Sequence, residues 1–243
     1  ALGRFERGGA GPAVAGRAPP RSPAGAAGAP AAPGLQTPPP ARRRDEQPAR
    51  PLHEWQLVGR LWNTYLLLCD REQLVLVDQH AAHERVTFER LRAAAARDGV
   101  RQQRLLVPVQ LELGPAGAEA AAAERERLAA VGIDIEPFGP GVISVKAVPA
   151  LLADAPVAEL VRDALDELAE SEAAGDQSQR RLAVLSRMAC HGSVRAGQAL
   201  AEAEVRSLLE QVEAIDYGAL CPHGRPVLVR FARREVEHWF HRG

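Results

Sequence analysis

Residues 74–84 read Leu74-Val75-Leu76-Val77-Asp78-Gln79-His80-Ala81-Ala82-His83-Glu84, and within them the side-chain period changes from that of a strand to that of a helix. Leu74–Val77 is a short apolar run behind the polar turn Asp70-Arg71-Glu72-Gln73. The stretch Gln56–Cys69 before that turn is rich in apolar and aromatic residues, so strands joined by a hairpin are expected. Beyond Asp78, residues Ala81–Ala96 hold no glycine or proline and place Val86, Leu91 and Ala94 at helical spacing until Gly99 ends the pattern. A strand that delivers directly into a helix fixes the side chains at the corner, so Asp78 is the first place to look for chemistry.

Working outward, strand patterns recur at Leu105–Leu113, Ile133–Pro137, Val142–Val148 and Val227–Phe231. Helical patterns cover Pro115–Ala130, Val157–Ala173, about Gln179–Ala196, Glu202–Ala214 and a last segment starting near Arg234, with a break at Gly175-Asp176. This order is neither strict strand–helix alternation nor all strand, and it predicts an α+β fold.

Residues 1–50 differ in texture. They hold 10 of the 19 prolines, 8 of the 21 glycines and almost no large apolar side chains, a composition that cannot offset the entropy of ordering. A disordered, semi-stiff linker is predicted over 1–52, extended at Pro38-Pro39-Pro40. With Met188 as the sole methionine and Ala1 at the start, the chain reads as a piece of a longer one. Three unevenly spaced cysteines, Cys69, Cys190 and Cys221, argue against a disulfide framework and for a reducing, cytoplasmic setting. No apolar run of about 18 residues exists, which excludes a membrane-spanning helix as the organising feature.

Two clusters carry metal-binding chemistry. On a helix, His80 and Glu84 project from one face about 40° apart, as two ligands of one ion would, and Asp78 sits where it can cap the helix or join them. Glu89 lies about 140° round from Glu84 and does not share that ion directly. A helix cap with an exposed His–Glu pair is the plainer alternative. The second cluster, Cys221-Pro222-His223-Gly224-Arg225-Pro226, is a loop stiffened by two prolines in which a thiolate and an imidazole can face one zinc ion; alternatively it is a structural turn. Such a loop needs about two further ligands, for which His80 and Glu84 are of the right type. Cys190 and His191 are placed on a helix, where they complete or neighbour the same site, unless Cys190 is an ordinary core cysteine.

The string Asp78-Gln79-His80-Ala81-x-x-Glu84-x-x-x-x-Glu89 resembles the endonuclease signature of MutL-type mismatch repair proteins, with every specified position present. Ala189-Cys190-His191 with Ser193–Gly197, the loop Cys221–Pro226 and Phe240-His241-Arg242 resemble three further motifs of that family, in the same order. His191 departs from the pattern, which has a basic residue after the cysteine. The resemblance covers about Leu57–Arg242 and implies a C-terminal domain of two lobes. A dimerisation lobe would be built from 53–102 and 179–243, with an external regulatory lobe, 103–178, inserted between.

The implied activity is nicking of one strand of duplex DNA by a homodimer, with Mn2+ activating and Zn2+ regulatory or structural. Asp78, His80 and Glu84 would be catalytic metal ligands, joined by Cys190, Cys221 and His223, with Glu89, Arg225 and Arg242 in support. ATP would bind only an N-terminal domain absent here, and a MutS-type mismatch sensor would act through the full-length protein. The alternative is a non-catalytic dimerisation and interaction module with a structural zinc site.

Charge limits how DNA is reached. Residues 1–50 carry eight arginines against three acids, a formal +5, so an overall charge of -1 leaves -6 for the rest. A domain so charged neutralises phosphate poorly and needs delivery by a partner, which also disfavours a zinc-stabilised DNA-binding module. Gln103-Arg104-Leu105-Leu106-Val107-Pro108 resembles the family's Q-x-x-L-x-P sliding-clamp motif through Gln103, Leu106 and Pro108; an edge strand ended by proline is the alternative. Arg180, Arg181 and Arg187 read as solvated helix charges rather than phosphate contacts.

Overall fold

The computed structural model describes residues 51–171, 176–192, 200–215, 221–222 and 224–242. The linker read over 1–52 lies almost wholly outside the described residues, as do His223 and Ser193–Gly197. In chain order the elements are β1 (Gln56–Leu61), β2 (Tyr65–Cys69), β3 (Gln73–Asp78), α1 (Gln79–Ala96), β4 (Gln102–Glu112), α2 (Gly114–Ala123), α3 (Arg125–Ala130), β5 (Asp134–Pro137), β6 (Val142–Pro149), α4 (Val157–Glu170), α5 (Gln177–Ala189), α6 (Glu202–Glu213), β7 (Leu228–Ala232) and α7 (Arg233–Trp239). The fold is α+β.

β1, β2, β3 and β7 form one antiparallel sheet in that order. The hairpin expected at residues 70–73 is present, fixed by Asp70, whose Oδ1 accepts from the N–H groups of Glu72 at 2.8 Å and Gln73 at 2.7 Å. A second hairpin divides the apolar stretch Gln56–Cys69, turning at Trp62 and Asn63 with φ of 53° and 50°. Asparagine tolerates that left-handed conformation and tryptophan does so rarely, so composition alone hides the turn. Alternation then sorts the sheet: Leu66, Leu68, Val75 and Val77 are fully buried on one face. Leu67, Leu76 and Val229 align in register on the other and stay half-buried.

β4, β6 and β5 form a second antiparallel sheet, with β4 at an edge. Its ladder jumps from Arg104–Ala147 to Val109–Val145, so residues 105–108 bulge out opposite Lys146. The single helix expected over Pro115–Ala130 is two helices. Glu124 leaves the helical conformation at ψ 5°, and its carboxylate takes the Arg127 guanidinium at 2.6 and 2.8 Å. The helix expected over Gln179–Ala196 ends at Ala189 and tightens into a 3-10 turn, Cys190–Gly192.

Two apolar cores result. One gathers both ends of the described chain, Leu52, Leu66, Val75, Ala82, Val86, Leu208, Val212 and Val227 among them. The other is built from the middle together with α5, through Leu111, Ile133, Ile143, Leu160, Leu185 and Met188. Leu52, assigned to the linker by composition, is fully buried, and its N–H is bound by the Glu213 carboxylate at the end of α6. At about 27 Å, α1 is long enough to serve both cores, giving Ala81, Ala82 and Val86 to the first and Leu91 to the second. No helix among the described residues is long and apolar enough to cross a membrane.

Candidate metal centre

Asp78 is the N-cap of α1. Its Oδ1 accepts from His80 N at 2.9 Å and Ala81 N at 3.1 Å, satisfying two of the donors that open a helix. The corner is then pinned from both sides. Asp78 N donates to Val227 O at 3.0 Å, immediately beyond the loop Cys221–Pro226, and Gln79 N donates to Thr64 O at 3.0 Å. Gln79 is buried, and its Nε2 donates to Asn63 O at 2.8 Å, holding the Trp62–Thr64 turn against the start of α1.

One turn on, His80 and Glu84 meet as their spacing predicts, with Nε2 and Oε1 3.0 Å apart. Glu84 is only 3% exposed. A carboxylate this deep is costly unless a cation or donors face it. Cys190, arriving from the end of α5, lies beside it. Burial pushes the Cys190 thiol up to about 12, and the charge of the Glu84 carboxylate and its hydrogen bond with the thiol add in the same direction. The buried Glu84 carboxylate thus interacts with an imidazole on its own helix and with a thiol from α5, although α1 and α5 are far apart in sequence.

The loop after α6 is a tight turn: Cys221 N donates to Arg225 O at 2.7 Å, Gly224 N to Cys221 O at 2.9 Å, and Gly224 takes a φ of +79° that suits glycine. Cys221 is buried in the first core. His223 lies outside the described residues, and among the described residues no group of three histidine, cysteine, aspartate and glutamate side chains is arranged to hold an ion. The donors fit a borderline cation in type, hard and soft together.

Other expected residues sit elsewhere. Glu89 pairs with Arg85 at 2.7 Å and Arg92 at 2.6 Å, in keeping with its angular separation from Glu84. Arg225 and Arg242 are exposed, the latter in the tail beyond α7, where its N–H bonds Glu237 O. Gln103, Leu106 and Pro108 belong to β4 in the second sheet, with Leu106 and Pro108 in its bulge. His191, expected to complete or neighbour the site, has its Nε2 on Asp163 Oδ2 at 2.8 Å, a partner the sequence does not signal, and two further groups were missed: the Gln79 amide and His83. The His83 Nδ1 sits 2.8 Å from Gln79 O, which fixes the tautomer with the proton on Nδ1. Burial lowers the pKa of His83 below 6.5, against a raising contribution from that bond, which favours the neutral ring. An isolated polar residue on a helix carries no sequence signal of such depth.

The model of the MutL C terminal dimerisation domain matches residues 58–200. The chain belongs to this family. Among MutL relatives, the DNA mismatch repair protein MutL of Azorhizobium caulinodans is 48% identical over 184 residues, which is 76% of this chain and 29% of the relative. That of Phenylobacterium zucineum is 45% identical over 76% of this chain and 30% of its own length. The MutL of Bradyrhizobium sp. is 41% identical over 204 residues, covering 82% and 33%. The chain thus spans about a third or less of the MutL relatives it matches.

Proposed function

We propose that this MutL domain pairs with a second copy and, in mismatch repair, nicks one strand of duplex DNA with the help of bound divalent cations. The observation that supports the reading is the buried Glu84 carboxylate, which pairs with His80 one turn back on α1 and interacts with the Cys190 thiol at the end of α5, beside a corner whose Asp78 is bonded to the exit of the Cys221 loop. In this reading Asp78, His80 and Glu84 hold an activating ion such as Mn2+, while Cys190, Cys221 and His223 supply softer donors that favour Zn2+. A bound cation supplies charge neutralisation on the phosphate and acidifies water. The chain's own part is to hold the donors in place. The cap uses only Oδ1 of Asp78, and the pinning of Gln79 keeps that carboxylate at the helix end.

Pairing is supported by the family and by the sheet face that carries Leu67, Leu76 and Val229 half-buried. We read the two cores as the two lobes of the family's domain. The -6 charge leaves delivery to partners: a mismatch sensor acting through the whole protein, and a sliding clamp engaged at Gln103, Leu106 and Pro108.

The test is relaxation of supercoiled plasmid in Mn2+, alongside metal content and oligomeric state. Asp78→Asn is expected to stay folded and dimeric and to lose nicking; full nicking by that variant refutes the assignment. A parent chain that pairs and binds zinc without nicking would instead be an interaction module with a structural metal.

A further inference from the structure

The turn that presents Cys190 is held from two directions. His191, only 12% exposed, turns its Nε2 onto Asp163 Oδ2 of α4 at 2.8 Å. Gly192 is packed so closely that an added Cβ would come within 2.7 Å of Leu152 Cδ2 and 2.9 Å of Thr87 Cγ2. The 3-10 turn Cys190–Gly192 follows the last turn of α5, where a helix end otherwise frays. A thiol on a fraying end would sample positions away from Glu84. The imidazole–carboxylate pair removes that freedom, because it ties the residue next to Cys190 to a second helix that is itself anchored by Leu160, Val161, Ala164 and Leu168.

We infer that His191 and Asp163 are positioning residues which hold the Cys190 thiol in place for a thiophilic cation such as Zn2+. Neither is assigned as a ligand: the Nε2 of His191 is committed to Asp163. The inference rests on the proposed metal function of Cys190 and adds the device that orients it. Partners that orient a ligand from outside the coordination sphere typically carry about 10- to 100-fold of metal affinity.

The experiment is a Zn2+ titration of the full chain against a chromophoric chelator, with the melting temperature of the zinc-free chain recorded beside it. His191→Ala and Asp163→Asn are expected to weaken Zn2+ binding about 10- to 100-fold. His191→Arg, which keeps a nitrogen donor opposite Asp163, is expected to bind within a few fold of the parent. Cys190→Ser serves as the reference for loss of a ligand. A zinc-free melting point that falls in His191→Ala with Zn2+ affinity unchanged, while Cys190→Ser binds weakly, overturns the positioning role and leaves the metal reading intact. Equal loss in His191→Arg and His191→Ala also overturns it. If Cys190→Ser binds Zn2+ as the parent does, the metal reading of Cys190 fails, and the positioning role with it.

Discussion

Gln79 Nε2 donates to the backbone carbonyl of Asn63 at 2.8 Å, so the residue between Asp78 and His80 is a strut from the helix start to the β1–β2 turn. Among the described residues, its Oε1 is buried without a hydrogen-bond partner. Gln79→Leu removes one useful donor and one unsatisfied acceptor together, and is expected to destabilise by only about 1 kcal/mol. Gln79→Glu keeps the bulk but sets a carboxylate against the Asn63 carbonyl, and is expected to cost about 3 kcal/mol at neutral pH. Urea unfolding of both variants checks this; equal losses would mean that the amide donor is not what matters.

The corner was legible because strand and helix periods meet at Asp78 and the His80–Glu84 spacing has a geometric meaning. Which face of the hairpin is the core was not legible, because Tyr65–Cys69 and Leu74–Val77 are apolar at every position and only the strand register sorts Leu66, Leu68, Val75 and Val77 inward. The turn at Trp62–Asn63 was not legible, since a tryptophan at positive φ is stabilised by its surroundings, here including the Gln79 strut. Nor was the break at Glu124, where no glycine or proline interrupts the run and a side-chain pair with Arg127 takes over. Within the candidate site, sequence pointed to His80, Glu84 and Cys190 but not to the groups that support them. The contacts of His191 and Gln79 join elements distant in sequence, and no local pattern encodes them.

Two histidines should shape stability against pH with opposite signs. His53 is raised above 6.5, first by its hydrogen bond with Glu213 and then by the charges of Glu213, Glu210 and Glu54. Its contribution is full below pH 6.5 and is lost as pH rises through the raised value. His83 is lowered below 6.5, chiefly by burial, so its contribution is full above pH 6.5 and is lost as pH falls through the lowered value. Melting temperature against pH is expected to flatten on the alkaline side in His53→Gln and on the acid side in His83→Gln. A parent profile unchanged by either substitution contradicts both assignments.

Gly192 offers a steric test of the Cys190 turn. An alanine there meets Leu152 and Thr87 at distances real Cβ atoms do not show, and overpacking of this kind costs about 1–3 kcal/mol. Gly192→Ala is therefore expected to lower the melting temperature. Thr87→Ser in the same chain removes the Cγ2 methyl and is expected to recover part of the loss, leaving the clash with Leu152. Denaturant unfolding of the single and double variants measures the coupling, and strict additivity would mean that the two side chains do not compete for this space.

Leu106 is fully exposed at the crest of the β4 bulge, with Val107 beside it 77% exposed. Neither contributes to a core, so no stability argument explains two large aliphatic side chains presented together on an edge strand. Docking into an apolar pocket of a partner does explain them, and the bulge keeps the strand from offering a flat edge to a second sheet. Leu106→Ser is expected to leave stability within about 0.5 kcal/mol of the parent. Under the proposed function it should also leave unstimulated plasmid nicking unchanged while abolishing stimulation by a purified sliding clamp. Clamp stimulation that survives Leu106→Ser combined with Gln103→Ala would remove the bulge from the clamp interface, leaving its exposed side chains for a different apolar partner.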